Sequence, residues 1–108
     1  GMAYKPNVDD TRETPAVEIA EQLMELGADV TYHDPHVAKI KGLRKYPGLE
    51  MQSVTLTEAS LADVDLVLIA TDHDAVDWNL IGRKASLIVD TRNAMTRASD
   101  VGATVVKA

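Results

Sequence analysis

Cysteine is absent from the 108 residues. The chain therefore has no disulfide, no thiolate metal site and no thiol nucleophile. Phe is absent as well, and one Trp and three Tyr are the only aromatics, too few for a platform that stacks single-stranded nucleic acid. Basic charge is scarce: 11 Lys and Arg stand against 17 Asp and Glu, a net charge of −6. That balance disfavours a nucleic-acid or anionic-membrane surface. No apolar run approaches membrane-spanning length and no signal-peptide pattern is present, so no membrane partner and a cytoplasmic setting are expected. No G-x-G-x-x-G follows a strand, so the dinucleotide fingerprint is missing. The nucleophile-elbow pattern G-x-S-x-G is missing too. What is present, 45% hydrophobic and 26% charged residues, describes one globular domain over residues 1–108 with a real core.

Along the chain the apolar pattern alternates between helical and strand spacing. Thr14-Pro15 is a helix start, with Thr as N-cap and Pro at the first helical position. Ala16, Ile19, Ala20, Leu23 and Leu26 then recur at helical spacing, opposite Glu18, Glu21, Gln22 and Glu25. Gly27 is placed as the C-terminal cap. Val30–Tyr32 reads as a strand closed by Asp34-Pro35. Residues 36–50 read as irregular, with a solvated basic run of Lys39, Lys41, Arg44 and Lys45 broken by Gly42, Pro47 and Gly48. Met51–Val54 is a short edge strand and Thr57–Ala62 a short helix. Leu66–Ala70 is a continuous apolar run that suits a parallel strand buried on both faces. A helical turn through Trp78, Leu80 and Ile81, a strand at Leu87–Val89, a short helix at Met95–Asp100 and a strand at Thr104–Val106 complete the pattern. Strands alternating with helices over short connections imply an α/β fold, a doubly wound sandwich on a mostly parallel sheet. Trp78 and the methionines read as core.

Ligands of such sheets bind beyond the carboxyl ends of the strands. The loops after Ala3, Tyr32, Ala70 and Val89 then share one edge, with Lys5, His33, Asp72, His73 and Arg92 on its rim. The opening loop places Lys5 and Arg12 ahead of a helix N-terminus, where free N–H groups and the helix dipole favour anions. Equally, both cations can pair with Asp9, Asp10 and Glu13. Lys5, Arg12 and Arg92 together have the charge that a diphosphate needs. His33-Asp34-Pro35-His36 has metal-ligand residue types, but no second ligand cluster accompanies it, and it reads as a turn. Asp72-His73-Asp74 has the residue types of an oriented base. Asp74 reads equally well as the N-cap of the next turn, and Asp72 and His73 as rim residues beside a substrate.

The wording Ala3-Tyr4-Lys5-Pro6-Asn7-x-Asp9-Asp10-x-Arg12-Glu13-x-Pro15 closely resembles the opening of the C-terminal domain of the UDP-glucose/GDP-mannose dehydrogenase family. Members are NAD-dependent enzymes that oxidise the 6-hydroxyl of a nucleotide sugar to a carboxylate. The resemblance runs through the whole chain. It implies that Lys5 and Arg92 contact the UDP-sugar, that Arg12 faces the NAD side of an interdomain cleft, and that Asp10, Asp72 and His73 lie near the rim. It also implies an N-terminal partner domain that carries the NAD fingerprint, a catalytic cysteine elsewhere, and a homo-oligomer. Thr71-Asp72-His73 and Asp90-Thr91-Arg92-Asn93 resemble the versions in relatives acting on UDP-N-acetylhexosamines. In the family an apolar central strand precedes the lysine loop, and here only its end is present. The chain alone is therefore expected to lack dehydrogenase activity, and its sheet to carry an open slot that favours association. The rivals are a free-standing nucleotide-binding or regulatory α/β module and a receiver-like domain. Arg92 beside Asp90 argues against the second of these.

Overall fold

Helix α1 spans Pro15–Glu25 in the computed structural model, which describes residues 1–108. Pro15 sets the first turn, and Thr14 takes the extended N-cap backbone. The Thr14 hydroxyl, however, makes no capping bond and is buried without a partner. The expected cap is thus positional only. At the other end Gly27 adopts φ 96°. Its N–H donates to Met24 O at 3.0 Å and the Ala28 N–H to Leu23 O at 3.0 Å, a Schellman closure that needs a residue free to take positive φ. The buried stripe differs from the expected one. Ala16, Val17 and Ala20 are buried, whereas Leu26 is 84% exposed. Small residues let the helix approach closely, and the larger Ile19 and Leu23 are only half covered.

The segment after α1 corrects two expectations. Val30–Tyr32 forms no ladder; Tyr32 makes a single parallel bridge to Ser53. Residues 36–50 are not wholly irregular, because β1 (Lys39–Ile40) pairs antiparallel with β2 (Met51–Gln52). Lys39 points outward and Ile40 is fully buried, so one inward side chain in a basic, turn-rich run was enough to anchor a strand. Met2, Ala3, Val17, Tyr32, Val37, Ile40 and Leu49 form the first core.

The second half holds α2 (Glu58–Ala62), β3 (Val67–Ile69), α3 (Trp78–Lys84), β4 (Leu87–Asp90), a 3₁₀ turn (Ala94–Arg97) and β5 (Thr104–Lys107). Thr57 and Ser60 form a reciprocal capping box at α2. Asp77, not Asp74, caps α3, accepting from the Leu80 N–H at 3.0 Å. The strands form a parallel sheet in the order β3-β4-β5. The fold is therefore mixed α/β with a parallel sheet, as the alternating pattern implied. β3 has a ladder partner on the β4 side only.

The expectation that these strands are buried on both faces does not hold. Ile69 and Ile88 point into the second core with Leu61, Trp78, Ile81 and Met95, and Val67 and Val105 pack against it. On the alternate positions Leu68 and Val89 are half-buried, while Leu66 and Val106 are 43% and 48% exposed. The reason is that α1 spends its apolar stripe on the first core. Ile88, fully buried in the middle strand, is the centre of the second. Ile88→Ala should lower stability by about 2–5 kcal/mol, through lost transfer energy plus a cavity. Leu66→Ala should cost less than about 1 kcal/mol. Urea unfolding of both variants checks the contrast.

Candidate functional site

Four chain segments meet at the carboxyl ends of the strands, and hydrogen bonds identify them. Ala3 O accepts from the Thr71 hydroxyl at 2.6 Å. The Asn7 N–H donates to His73 Nδ1 at 2.8 Å. Thr91 Oγ1 donates to Ile69 O at 2.6 Å, and Arg92 Nε to Ala70 O at 2.9 Å. The loops after Ala3, Ala70 and β4 thus lie along one edge, and the loop after Tyr32 joins them through Asp34, which bonds to Met2, Ala3 and His73.

Two buried aspartates organise that edge. Asp34 accepts five hydrogen bonds. Oδ2 takes the Met2 N–H (2.7 Å), the Ala3 N–H (3.2 Å) and His73 Nε2 (2.8 Å). Oδ1 takes the His36 N–H (2.7 Å) and the Val37 N–H (3.1 Å). The Asp34-Pro35-His36 segment is thus an Asx turn. Asp90 accepts from the backbone N–H groups of Arg92, Ala94 and Met95 at 2.9–3.1 Å, which closes the 3₁₀ turn. For each, burial opposes the charged form. For Asp34 the His36 N–H, His73 and the Met2 N–H outweigh it; for Asp90 the N–H groups of Met95, Ala94 and Arg92 do so. Both carboxyls lie below their ordinary value of 3.8.

His73 and Asp72 are corrections. His73 is fully buried rather than exposed on the rim. An N–H can only donate, so the bond from Asn7 leaves Nδ1 with its lone pair and puts the ring hydrogen on Nε2, toward Asp34. The ring is a connector between two halves of the molecule. Asp72 is also largely buried, and Arg97 takes its carboxylate at 2.9 Å while donating to its carbonyl at 3.1 Å. Arg97 also lies over the Trp78 ring, 5.9 Å from its centroid. The sequence reading gave Arg97 no role, since only the fold brings it against residue 72.

Three expected cations divide into two kinds. Arg12 is 87% exposed and gripped by Asp10, Nε to Oδ1 and Nη2 to Oδ2, both at 3.0 Å. Its hydrogen bond pulls the Asp10 carboxyl down to about 2. This is the pairing alternative, realised for Arg12. Glu13 pairs instead with Lys45 at 3.3 Å. Lys5 and Arg92 have no carboxylate partner within 4.0 Å. Arg92 uses only Nε, leaving its terminal N–H groups unspent. It lines an open depression of ≈ 500 Å³ with Asp90, Thr91, Asn93 and Lys107. Lys107 was not singled out in the sequence, where it is one lysine at the end of a short strand. Its parallel register with Asp90 puts it there. No group of three His, Asp or Glu side chains converges on a common point.

Residues 1–97 match the family described as UDP-glucose/GDP-mannose dehydrogenase family, UDP binding domain. The chain belongs to this dehydrogenase family. Among the relatives it resembles is the UDP-glucose 6-dehydrogenase TuaD of Bacillus subtilis, 36% identical over 98 residues, covering 86% of this chain and 21% of TuaD. The UDP-glucose 6-dehydrogenase AglM of Haloferax volcanii is 32% identical over 100 residues, 90% of this chain and 23% of AglM. The UDP-D-ManNAc dehydrogenase structure from Pyrococcus horikoshii superposes with a TM-score of 0.70 at 28% identity, covering 99% of this chain and 23% of that one. The chain thus spans between a fifth and a quarter of the length of these relatives. The Lys5-Pro6-Asn7 and Asp90-Thr91-Arg92-Asn93 stretches both fall within the matched residues.

The two aspartates give this domain a directed pH dependence. A carboxyl lowered on folding stabilises the fold at pH values above its unfolded value, and that stabilisation is lost as pH falls through the folded value. The thermal midpoint should hold from pH 7 to about 5 and drop below about pH 4. Asp34→Asn should cost on the order of 3 kcal/mol at pH 7, because the amide sets an N–H among donors, and should shrink the acid-side drop. A midpoint flat between about pH 6 and about pH 3 would contradict the assignment.

Proposed function

We propose that this domain holds the uridine diphosphate portion of a UDP-sugar in an NAD-dependent UDP-sugar 6-dehydrogenase. The family match over residues 1–97 carries the reading. The rim geometry supports it: Lys5 and Arg92 are cations without carboxylate partners on the two loops that bond to residues 70–74, and Arg92 is oriented through Ala70 O with donors to spare. A diphosphate takes two or more such groups, and arginine can grip it bidentately. Lys107, in the same depression as Arg92, adds a further positive charge.

In the proposed parent enzyme the 6-hydroxyl is oxidised to a carboxylate in two hydride transfers, with NAD as acceptor. This chain contributes binding and one wall of the cleft. The groups that hold most of the NAD belong to a separate N-terminal domain, since no dinucleotide fingerprint lies in these residues. Arg12 faces the NAD side. Its exposed guanidinium keeps Nη1 outside the Asp10 pair, which fits a cation that reaches a phosphate across a cleft. The enzyme is proposed to work in the cytoplasm as a homo-oligomer. The preference for an N-acetylhexosamine rests on the Thr71-Asp72-His73 wording. Those three side chains bond to Ala3, Arg97 and Asp34 within the protein, so they would shape the sugar pocket through the backbone rather than touch the sugar.

In the full-length enzyme, Arg92→Ala should weaken UDP binding by about 1.5–3 kcal/mol, ten- to a hundredfold, with NAD affinity little changed. Calorimetric titration measures this directly, and an unchanged UDP affinity would refute the assignment. Arg12→Ala should raise the NAD concentration needed for half-maximal rate while UDP still protects against heat. Equal loss of UDP protection would place Arg12 on the wrong side of the cleft.

A further inference from the structure

The loop that carries Lys5 is mostly exposed, and only Val8 packs against the first core. Its neck is closed by the Tyr4 N–H donating to Asp10 O at 2.7 Å. Between those residues every hydrogen bond belongs to Asn7. Its N–H donates to His73 Nδ1 at 2.8 Å, its Nδ2 donates to Asp74 Oδ2 at 3.0 Å, and its Oδ1 accepts from the Asp74 N–H at 2.8 Å. Asn7 holds φ 66°, a left-handed backbone that Asn and Gly tolerate and most residues do not. His73 is in turn fixed through Nε2 to the buried Asp34. The reciprocal bonds with Asp74 and the bond to His73 give three attachments at one residue, two positions from Lys5.

We infer that Asn7 and His73 are positioning residues for UDP recognition: the line Asp34–His73–Asn7 holds the Lys5 loop in its diphosphate-binding shape. The inference rests on the UDP reading above and adds to it the residues that preorganise the cation. Apparent affinity falls in proportion to the population of the binding-competent conformer. A loop held in that conformer a tenth of the time would bind UDP about tenfold more weakly.

Three variants separate this role from general stability. Asn7→Gly keeps the left-handed backbone and the N–H to His73 but removes both side-chain bonds to Asp74. His73→Gln keeps a donor near Asp34 and loses the acceptor for Asn7. His73→Asn keeps an acceptor at the Nδ1 position and loses the donor to Asp34. In the intact protein that carries this chain, UDP affinity is measured by calorimetry and amide exchange residue by residue. Asn7→Gly and His73→Gln should bind UDP about five- to tenfold more weakly, with faster exchange confined to residues 4–10. His73→Asn, which keeps the acceptor for Asn7 but loses the link to Asp34, should lose thermal stability and weaken UDP binding less than His73→Gln does. The inference is overturned if the unaltered protein binds UDP and Asn7→Gly binds it equally well, or if exchange rises evenly over the whole chain. An unaltered protein that does not bind UDP removes the UDP reading itself, and this inference with it.

Discussion

A buried carboxylate must be surrounded by donors or it will not stay charged, and Asp34 meets that condition with five. The fold depends on this one group because it has two cores rather than one. The first is built from Met2 to Leu49 and the second from Leu61 to Met95. Ala70 reaches across to the first core, but much of what joins the halves is polar. Asp34 belongs to the first half and His73 to the second, and their bond at 2.8 Å is fully buried. The Thr71–Ala3 and Asn7–Asp74 bonds flank it. In a low-dielectric seam such bonds are strong when complete and costly when one partner is lost.

Asp90 repeats the device at the end of β4, where it gathers three backbone N–H groups. The consequence for recognition is electrostatic. The chain is acidic overall, yet most acidic side chains of the rim are already engaged: Asp34 and Asp90 mainly by backbone, Asp72 and Asp74 by Arg97, Asp10 by Arg12. Lys5, Arg92 and Lys107 are left unneutralised. A negatively charged protein can therefore present a positive edge to an anion, because its carboxylates are consumed as structure. Net charge alone said nothing about this local sign.

What the sequence disclosed and what it hid follow the range of the interactions. Helix α1, with its Pro start and Gly stop, is a local affair and was visible, as were the apolar strands at 67–69 and 87–90. The buried stripe of α1 was misplaced toward Leu26 because periodicity cannot tell which of two adjacent apolar columns finds a partner. β1 went unseen because a two-residue strand with one inward side chain leaves no pattern. Asp34-Pro35 was read as a turn, which it is, but its five donors come from three separate stretches of chain. His73 was expected on the rim because it lies in the loop that follows the strand ending at Ala70. In the fold, the ring turns inward to bond Asp34 on another loop. Arg97 and Lys107 gained their places only through long-range packing and strand register.

The two arginines of the site differ in kind, and the difference bears on which ligand each can serve. Arg92 is oriented by a neutral carbonyl, so its full charge remains for an incoming anion. Arg12 is oriented by Asp10 and arrives half-neutralised. An exposed ion pair of this sort contributes little, so a phosphate group can compete for the guanidinium at small cost. Asp10 meanwhile keeps it extended from the loop. Such an arm gives little affinity on its own and suits a contact completed from the far side of a cleft. A cation fixed on the strand edge, as Arg92 is, suits a ligand held by this domain in its own right. The asymmetry fits the proposed roles, the stronger anchor for the nucleotide sugar and the adjustable one for the cofactor.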